Sequence, residues 1–338
     1  MSSKIVILGN SSKNRLNYYV WKDVIDDIRI RYIPDVIKWK FGFKILSFVE
    51  RGCLHFSVNG RLSFLRRVGY KIGDSNFKGK FSVGIPGDTS ILICSHISLY
   101  NIGSYKLKQL KQGGTKVILF LFDSMSTVSQ RTKELIVDAI DRNVVDECYS
   151  FDESDCHNYK FKYWPQVYSP LKINIKRNEY VADVYFAGRD RGRFQIVEKC
   201  LKRLTDSGLS ALCRMPDADV ARFKSMNARC ETSLIEYEKT VWEMLSCRCI
   251  LDIVQEGQTG ISWRVVEAIV YHKKLITNNP CVLSNKYYDP RYIQYFKDVD
   301  DIDFSWVGQD ISMDFVYEDD YSPVRFIDML SDNEAIGG

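Results

Sequence analysis

The stretch Gln255-Glu256-Gly257-Gln258-Thr259-Gly260-Ile261-Ser262-Trp263-Arg264-Val265-Val266-Glu267-Ala268 decides the reading of this chain. An apolar, strand-like run stands before it, Cys249-Ile250-Leu251-Asp252-Ile253-Val254. A second, Lys274-Leu275-Ile276-Thr277, follows it. Helical spacing of apolar residues begins inside the stretch, so the segment predicts strand, polar Gly-containing loop, helix and strand. A loop at a helix N-terminus presents unpaired backbone N–H groups to an anion. Arg264 and Glu267, three residues apart, share one face of the opening turns. A guanidinium beside a carboxylate serves a diphosphate and a ribose hydroxyl pair from the same turn. The chemistry this predicts is that of a nucleotide-sugar site. The competing reading is an ordinary strand–loop–helix unit with a surface Arg and Glu.

Outward from that stretch, strands and helices alternate in both directions. Asp183-Val184-Tyr185-Phe186-Ala187-Gly188 reads as a buried strand leading into Arg189-Asp190-Arg191-Gly192-Arg193, then a helix to Ser207-Gly208. Leu209–Met215 is strand-like, and a helix is expected around Tyr237–Ser246. Earlier, Lys4–Leu8, Ser90–Cys94, Lys116–Phe122 and Val145–Ser150 are short apolar runs, with helical patterns through Tyr105–Leu110 and Gln130–Asp141. Continuous apolar strands separated by helices predict parallel sheets covered on both faces. Tyr163-Trp164-Pro165, Tyr168-Ser169-Pro170 and polar Lys172–Glu179 form a candidate linker between two such halves. Two Rossmann-like halves place a ligand cleft at the carboxyl ends of their strands. Pro323–Leu330 predicts a short amphipathic helix after the second half.

With these residues in place, the chain resembles a GT-B glycosyltransferase over roughly Val181 to Trp306. It is similar to the CgeB-like and the capsule or lipopolysaccharide transferases, which carry an Arg-x-x-Glu-Ala arrangement like Arg264 to Ala268. The usual pattern spaces its two glutamates more closely than Glu256 and Glu267 stand here, so Glu267 is the residue carried over. The resemblance implies an α/β fold of GT-B architecture, two Rossmann-like domains with parallel sheets facing a central cleft. It implies residues 1–170 as an acceptor-binding domain, 171–315 as a nucleotide-sugar donor domain, and 316–338 as a helix returning to the first. It implies donor contacts from Gly188, Arg189, Arg193, Gln258, Thr259, Gly260, Arg264 and Glu267, with Arg264 on the diphosphate and Glu267 on ribose or sugar hydroxyls. On this reading Glu267→Ala abolishes transfer with little change in melting temperature.

An inverting transfer also needs a base for the acceptor hydroxyl, from the first half at the cleft ends of its strands. His96 lies two residues beyond one buried strand and Asp123 ends the next, so both are candidates for the catalytic base. A neutral, hydrogen-bonded histidine and a helix N-cap are the structural alternatives for the two. Asn10 and Ser11 end the first strand and offer weaker candidates; His55, His157 and His272 are less favourably placed. Asp298-Val299-Asp300 and Asp301-Ile302-Asp303 have the form of a metal motif but read as a surface loop. No metal and no cofactor beyond the nucleotide sugar are expected, since a helix N-terminus and arginines can neutralise a leaving diphosphate.

The bulk properties bound the rest. The 338 residues suffice for two cores, and a 45 % hydrophobic, 27 % charged composition is that of a globular chain. Ten cysteines without paired CxxC spacing predict reduced thiols and no structural zinc. No apolar run reaches membrane-spanning length and no signal peptide is read, so a cytoplasmic location is expected. The net charge of +4 hides an asymmetry, with a basic excess in the first 120 residues and an acidic one after them. Ile37–Lys44 and Phe64–Arg67 interleave basic and aromatic residues, which suits an anionic membrane surface or a polyanionic acceptor, or else a solvated basic face. No nucleic-acid motif is present. The expected partners are a nucleotide-sugar donor and a glycan or lipid-linked glycan acceptor, with peripheral attachment to the inner face of the membrane. A catalytically silent glycan-binding partner of the same fold and a nucleotide-sugar epimerase are the rival functions.

Overall fold

The computed structural model describes residues 4–9, 16–34, 85–102, 104–174, 180–216, 219, 223 and 226–337. Asn10, Ser11, His55 and the basic-aromatic segments 37–44 and 64–67 fall outside the described residues.

Two six-stranded sheets, parallel throughout, organise the chain. The first is built from β1 (Ile5–Gly9), β2 (Ile30–Pro34), β3 (Ile91–Cys94), β4 (Lys116–Phe120), β5 (Glu147–Ser150) and β6 (Lys162–Tyr163), in the order β2-β1-β3-β4-β5-β6. The residues of β1 and β3 are all buried, as expected of aliphatic runs covered on both faces. The second sheet holds β7 (Ala182–Ala187), β8 (Ala211–Arg214), β9 (Ala228–Glu231), β10 (Cys247–Asp252), β11 (Lys274–Thr277) and β12 (Ile293–Tyr295). Its order is β12-β11-β10-β7-β8-β9, again parallel at every pairing. Read from β9, this is the doubly wound dinucleotide-binding order, with its switch point between β7 and β10. The expected strand Leu209–Met215 is trimmed at both ends to β8, whose four residues are those that pair with β7.

Helices α1 (Leu16–Tyr19), α2 (His96–Ile102), α3 (Ser104–Gln112), α4 (Gln130–Asp141) and α5 (Glu153–Tyr159) belong to the first sheet's part of the chain. Helices α6 (Phe194–Asp206), α7 (Tyr237–Leu245) and α8 (Trp263–Val270) belong to the second. The final helix, α9 (Pro323–Gly337), crosses back: Phe326, Ile327 and Leu330 are buried in one core with Ile5, Ile7, Trp21, Phe120 and Tyr149. The Phe326 ring lies 5.0 Å from Phe120 and 5.1 Å from both Tyr149 and Trp164. The outgoing segment meets the returning one where Tyr168 N donates to the Tyr321 carbonyl at 2.6 Å.

The acidic run 298–303 is a surface turn. Asp298 and Asp301 form a reciprocal cap on the short 3-10 helix Val299–Asp301, and Lys199 reaches Asp298 and Asp300 at 3.1 and 2.8 Å. The cysteines among the described residues are free thiols. No helix among the described residues is long and apolar enough to cross a membrane.

Candidate functional site

Strand β10 ends at Asp252, and the polar stretch that follows carries the chain to α8. Ser262 caps that helix, its Oγ accepting from Val265 N at 3.2 Å. The same hydroxyl donates to Asp252 Oδ2 at 2.9 Å, and Thr277 Oγ1 donates to that oxygen at 2.8 Å. One buried carboxylate thus ties the ends of β10 and β11 to the start of α8. Burial pushes the Asp252 carboxyl up; the two hydroxyls and the nearby Arg193 and Arg264 pull it back.

A cleft of about 180 Å³ opens at this point, between the carboxyl ends of the two sheets. From the second sheet it is lined by Gly188, Arg193, Asp252, Gln255, Gln258 and Arg264; from the first, by Phe122, Asp123, Ser124, Phe151 and Gln166. The cleft therefore stands at the β7/β10 switch point, where open α/β sheets bind ligands.

Arg193 packs its guanidinium over Phe186 and donates to the carbonyls of Ile253, at 2.6 Å, and of Asp190 and Arg189. Burial pushes its pKa down, opposed by Asp252. A side chain at Gly188 would meet the Arg193 guanidinium at 2.7 Å, so glycine is what lets the arginine close over the loop. Arg189 is exposed.

Arg264 reaches the cleft, while Glu267 does not line it. Glu267 is 0 % exposed, ion-paired to Arg264, and accepts from Tyr237 Oη at 2.7 Å. Tyr237 Oη also accepts from Tyr168 at 2.9 Å; Tyr168 Oη lies 3.2 Å from Tyr271 Oη, which accepts from Leu171 N at 2.7 Å. The carboxylate expected on a ligand hydroxyl is thus engaged inside the protein, where it fixes Arg264 and links α7 and α8 to the segment joining the sheets. Burial raises the Glu267 carboxyl above the usual carboxylate range, and Arg264 opposes that rise.

Thr259 and Gly260 are engaged as well. Asp152, buried just beyond β5, accepts from Thr259 N at 2.9 Å, Gly260 N at 3.1 Å and Thr259 Oγ1 at 2.5 Å. Thr259 Oγ1 also pairs with Ser154 Oγ at 2.9 Å. The loop lies so close that a Cβ on Gly260 would meet the Phe151 ring and carbonyl at 2.6 Å. Gln258 Nε2 turns inward to the Gly260 carbonyl at 3.3 Å. Two loop N–H groups of the kind that bind anions are therefore held by a carboxylate of the first half, an internal anion clasping the two halves together.

On the opposite wall Asp123 lines the cleft, and His96 at the start of α2 is close enough to feel its charge. Burial lowers the His96 pKa and Asp123 opposes the shift; His96 Nδ1 is buried without a hydrogen-bond partner among the described residues. His157 is exposed, and His272 stacks on Phe315 with Nε2 at 3.1 Å from its carbonyl. Among the described residues no group of three or more His, Cys, Asp or Glu is arranged to hold a metal ion.

The structure adds Asp152, Asp252, Ser124, Phe151 and Gln166 to the residues singled out from sequence. The rule that selected Asp123, a polar residue at the carboxyl end of a buried strand, applies equally to Asp152 and Asp252. Nothing local marks Gln166, which reaches the cleft because the linker crosses there.

Two parallel doubly wound sheets with a cleft between their carboxyl ends make this the GT-B fold of glycosyltransferases. Among solved structures, the UDP-forming α,α-trehalose-phosphate synthase from Burkholderia xenovorans matches with a TM-score of 0.52 and 11 % identity, covering 90 % of this chain and 89 % of that one. Anabaena HepE in complex with UDP and glucose matches with a TM-score of 0.51 and 11 % identity, covering 88 % and 87 %. The α,α-trehalose-phosphate synthase (UDP-forming) from Burkholderia vietnamiensis gives 0.50 and 11 %, covering 82 % and 83 %. No protein-family model matches the sequence, and no curated protein does.

Proposed function

We propose that this chain is a glycosyltransferase, moving a sugar from a nucleotide donor at the second sheet to a glycan or lipid-linked glycan acceptor at the first, in surface-polysaccharide synthesis of the capsule or lipopolysaccharide kind. The observation that carries the reading is the β7/β10 switch point, with Arg193 and Arg264 beside it, facing Asp123 across one cleft. The likeness of fold to a structure holding UDP and glucose supports it. Residues 1–170 would hold the acceptor and 171–315 the donor, with 316–338 bracing the first unit.

In this reading Arg264 and Arg193 neutralise the departing diphosphate, together with the α8 N-terminus, and no metal is needed. Gly188 and Arg189 border the phosphates, and Gln258, Thr259 and Gly260 meet the donor once Asp152 releases the loop. Glu267 acts through Arg264, as a positioning residue. The cleft is smaller than the roughly 300–1,000 Å³ usual for small-molecule sites, so donor entry requires that release. The enzyme works in the cytoplasm, with the basic first third meeting an anionic membrane surface.

Calorimetry with UDP, GDP, CDP, CMP and dTDP tests the donor site. One nucleotide is expected to bind selectively. Arg264→Lys, which keeps the charge beside Glu267 but loses the two-pronged guanidinium, weakens it about tenfold. No binding by any of the five sinks the assignment.

His96 is the proposed base, steered by Asp123. A base must be neutral to accept a proton, so a lowered pKa keeps it competent below its ordinary value of about 6.5. Removing the Asp123 charge removes the influence that raises the His96 pKa. Asp123→Asn should therefore shift the acid limb of the kcat/KM profile to lower pH, and a limb that stays in place or moves upward refutes the pairing.

A further inference from the structure

Gln166 sits where the linker passes the cleft and is only 1 % exposed. Its Nε2 donates to the Phe122 carbonyl at 3.3 Å, which fixes the amide orientation, because the reverse would set two carbonyl oxygens against each other. That leaves Oε1 buried with no partner among the described residues. Buried polar atoms are almost always paired, so an acceptor held unpaired beside a cleft is a feature to be explained by what enters.

The chemistry of the atom narrows the candidates. An amide oxygen only accepts, and so do the oxygens of an ionised diphosphate. The Gln166 oxygen is therefore mismatched to the phosphates and matched to a hydroxyl. Its surroundings agree, for Gln166 and Phe151 form a common wall between the cleft and a second cavity of about 210 Å³. That cavity is lined by Tyr163, Tyr287 and Tyr321 together with Asn285 and Lys286. Aromatic faces beside a few fixed polar groups suit a ring that is apolar on its faces and hydroxylated at its rim.

We propose that Gln166 and this adjoining cavity form a subsite for a sugar ring, with Oε1 accepting a hydrogen bond from a ring hydroxyl. The proposal rests on the transferase reading for its biological meaning, but the subsite itself is testable without it. The ring belongs either to the donor sugar or to the acceptor glycan, and the chemistry is the same for both.

The experiment is saturation-transfer NMR with affinity titrations on the full chain, Gln166→Leu and Tyr163→Ala. The probes are UDP, UDP-glucose, UDP-galactose, UDP-N-acetylglucosamine and the methyl glycosides of the same three sugars. In wild type, ring protons of at least one sugar should receive saturation. Both substitutions should weaken that sugar about five- to tenfold, while UDP alone changes less than about twofold. Loss confined to the nucleotide sugars assigns the ring to the donor; loss on the glycosides assigns it to the acceptor. Tyr163 is 51 % exposed, so its replacement leaves the fold intact and decides the matter even where Gln166→Leu does not fold. Absence of saturation on every sugar in wild type, or wild-type affinity in the variants, overturns the subsite. Failure of UDP, GDP, CDP, CMP and dTDP alike to bind while the glycosides do would instead overturn the transferase reading alone.

Discussion

Replacing Glu267 by alanine should lower the unfolding free energy of the second unit by about 3–5 kcal/mol, the range for stripping one partner from a buried ion pair. The variant leaves the Arg264 guanidinium, whose side chain is 17 % exposed, without its carboxylate, and leaves the Tyr237 hydroxyl without its acceptor. Nucleotide binding should fall with it, because Arg264 loses what holds it at the cleft. From sequence, activity is expected to vanish with little change in melting; complete burial of the Glu267 carboxylate replaces the second part of that expectation with a large loss. Urea denaturation of Glu267→Ala and Glu267→Gln distinguishes the cases. The amide keeps an acceptor for Tyr237 and should recover part of the loss. A change below about 1 kcal/mol in the alanine variant is what an exposed pair would give, and would contradict the placement.

The second large effect is expected at Asp152. Its alanine variant strands the amides of Thr259 and Gly260, which one carboxylate now serves, and leaves the Thr259 hydroxyl only Ser154. Hydrogen bonds to a charged group are worth about 1.5–3 kcal/mol each, so losing two or more lowers the opening free energy of the loop by about 3 kcal/mol at least. Amide exchange at Thr259 and Gly260 should then accelerate roughly a hundredfold, with amides in the β7 and β10 core unchanged. Asp152→Asn retains one good acceptor and should fall between. The Gly260 carbonyl keeps its bond from Asn279 Nδ2 at 3.0 Å, and the Thr259 carbonyl its contact with Cys281. Exchange that stays at the wild-type rate would mean those two contacts hold the loop without Asp152.

The strands were the most legible part of the molecule. Ile5–Gly9, Ile91–Cys94 and Cys247–Asp252 announce themselves because a strand buried on both faces needs an unbroken apolar run, and little else in a chain does. Helix α8 was legible for a related reason: Ser262 precedes its apolar stripe and caps it. The state of the site residues was not legible. Glu267 and Arg264 share a helix face, as their spacing says, but spacing does not tell whether the face meets ligand or protein. Here the phenol of Tyr237, thirty positions away, supplies the partner. The loop pattern suits Thr259 and Gly260 to a ligand anion, whereas their amides are held by Asp152, from more than a hundred residues earlier. Contacts of that separation are set by how two sheets face each other, which no local pattern encodes.

The returning helix α9 carries a consequence for how the molecule is made. Phe326 is completely buried among Trp21, Phe120, Tyr149 and Trp164, so strands β1 and β4 wait for a helix synthesised long after them before their sheet is sealed. Until then the face that will receive Phe326, Ile327 and Leu330 stands open as an apolar patch. Every nascent chain therefore passes through a period in which its first half is formed but sticky. A message cut short before residue 323 would yield a protein with both sheets present and one of them permanently uncovered.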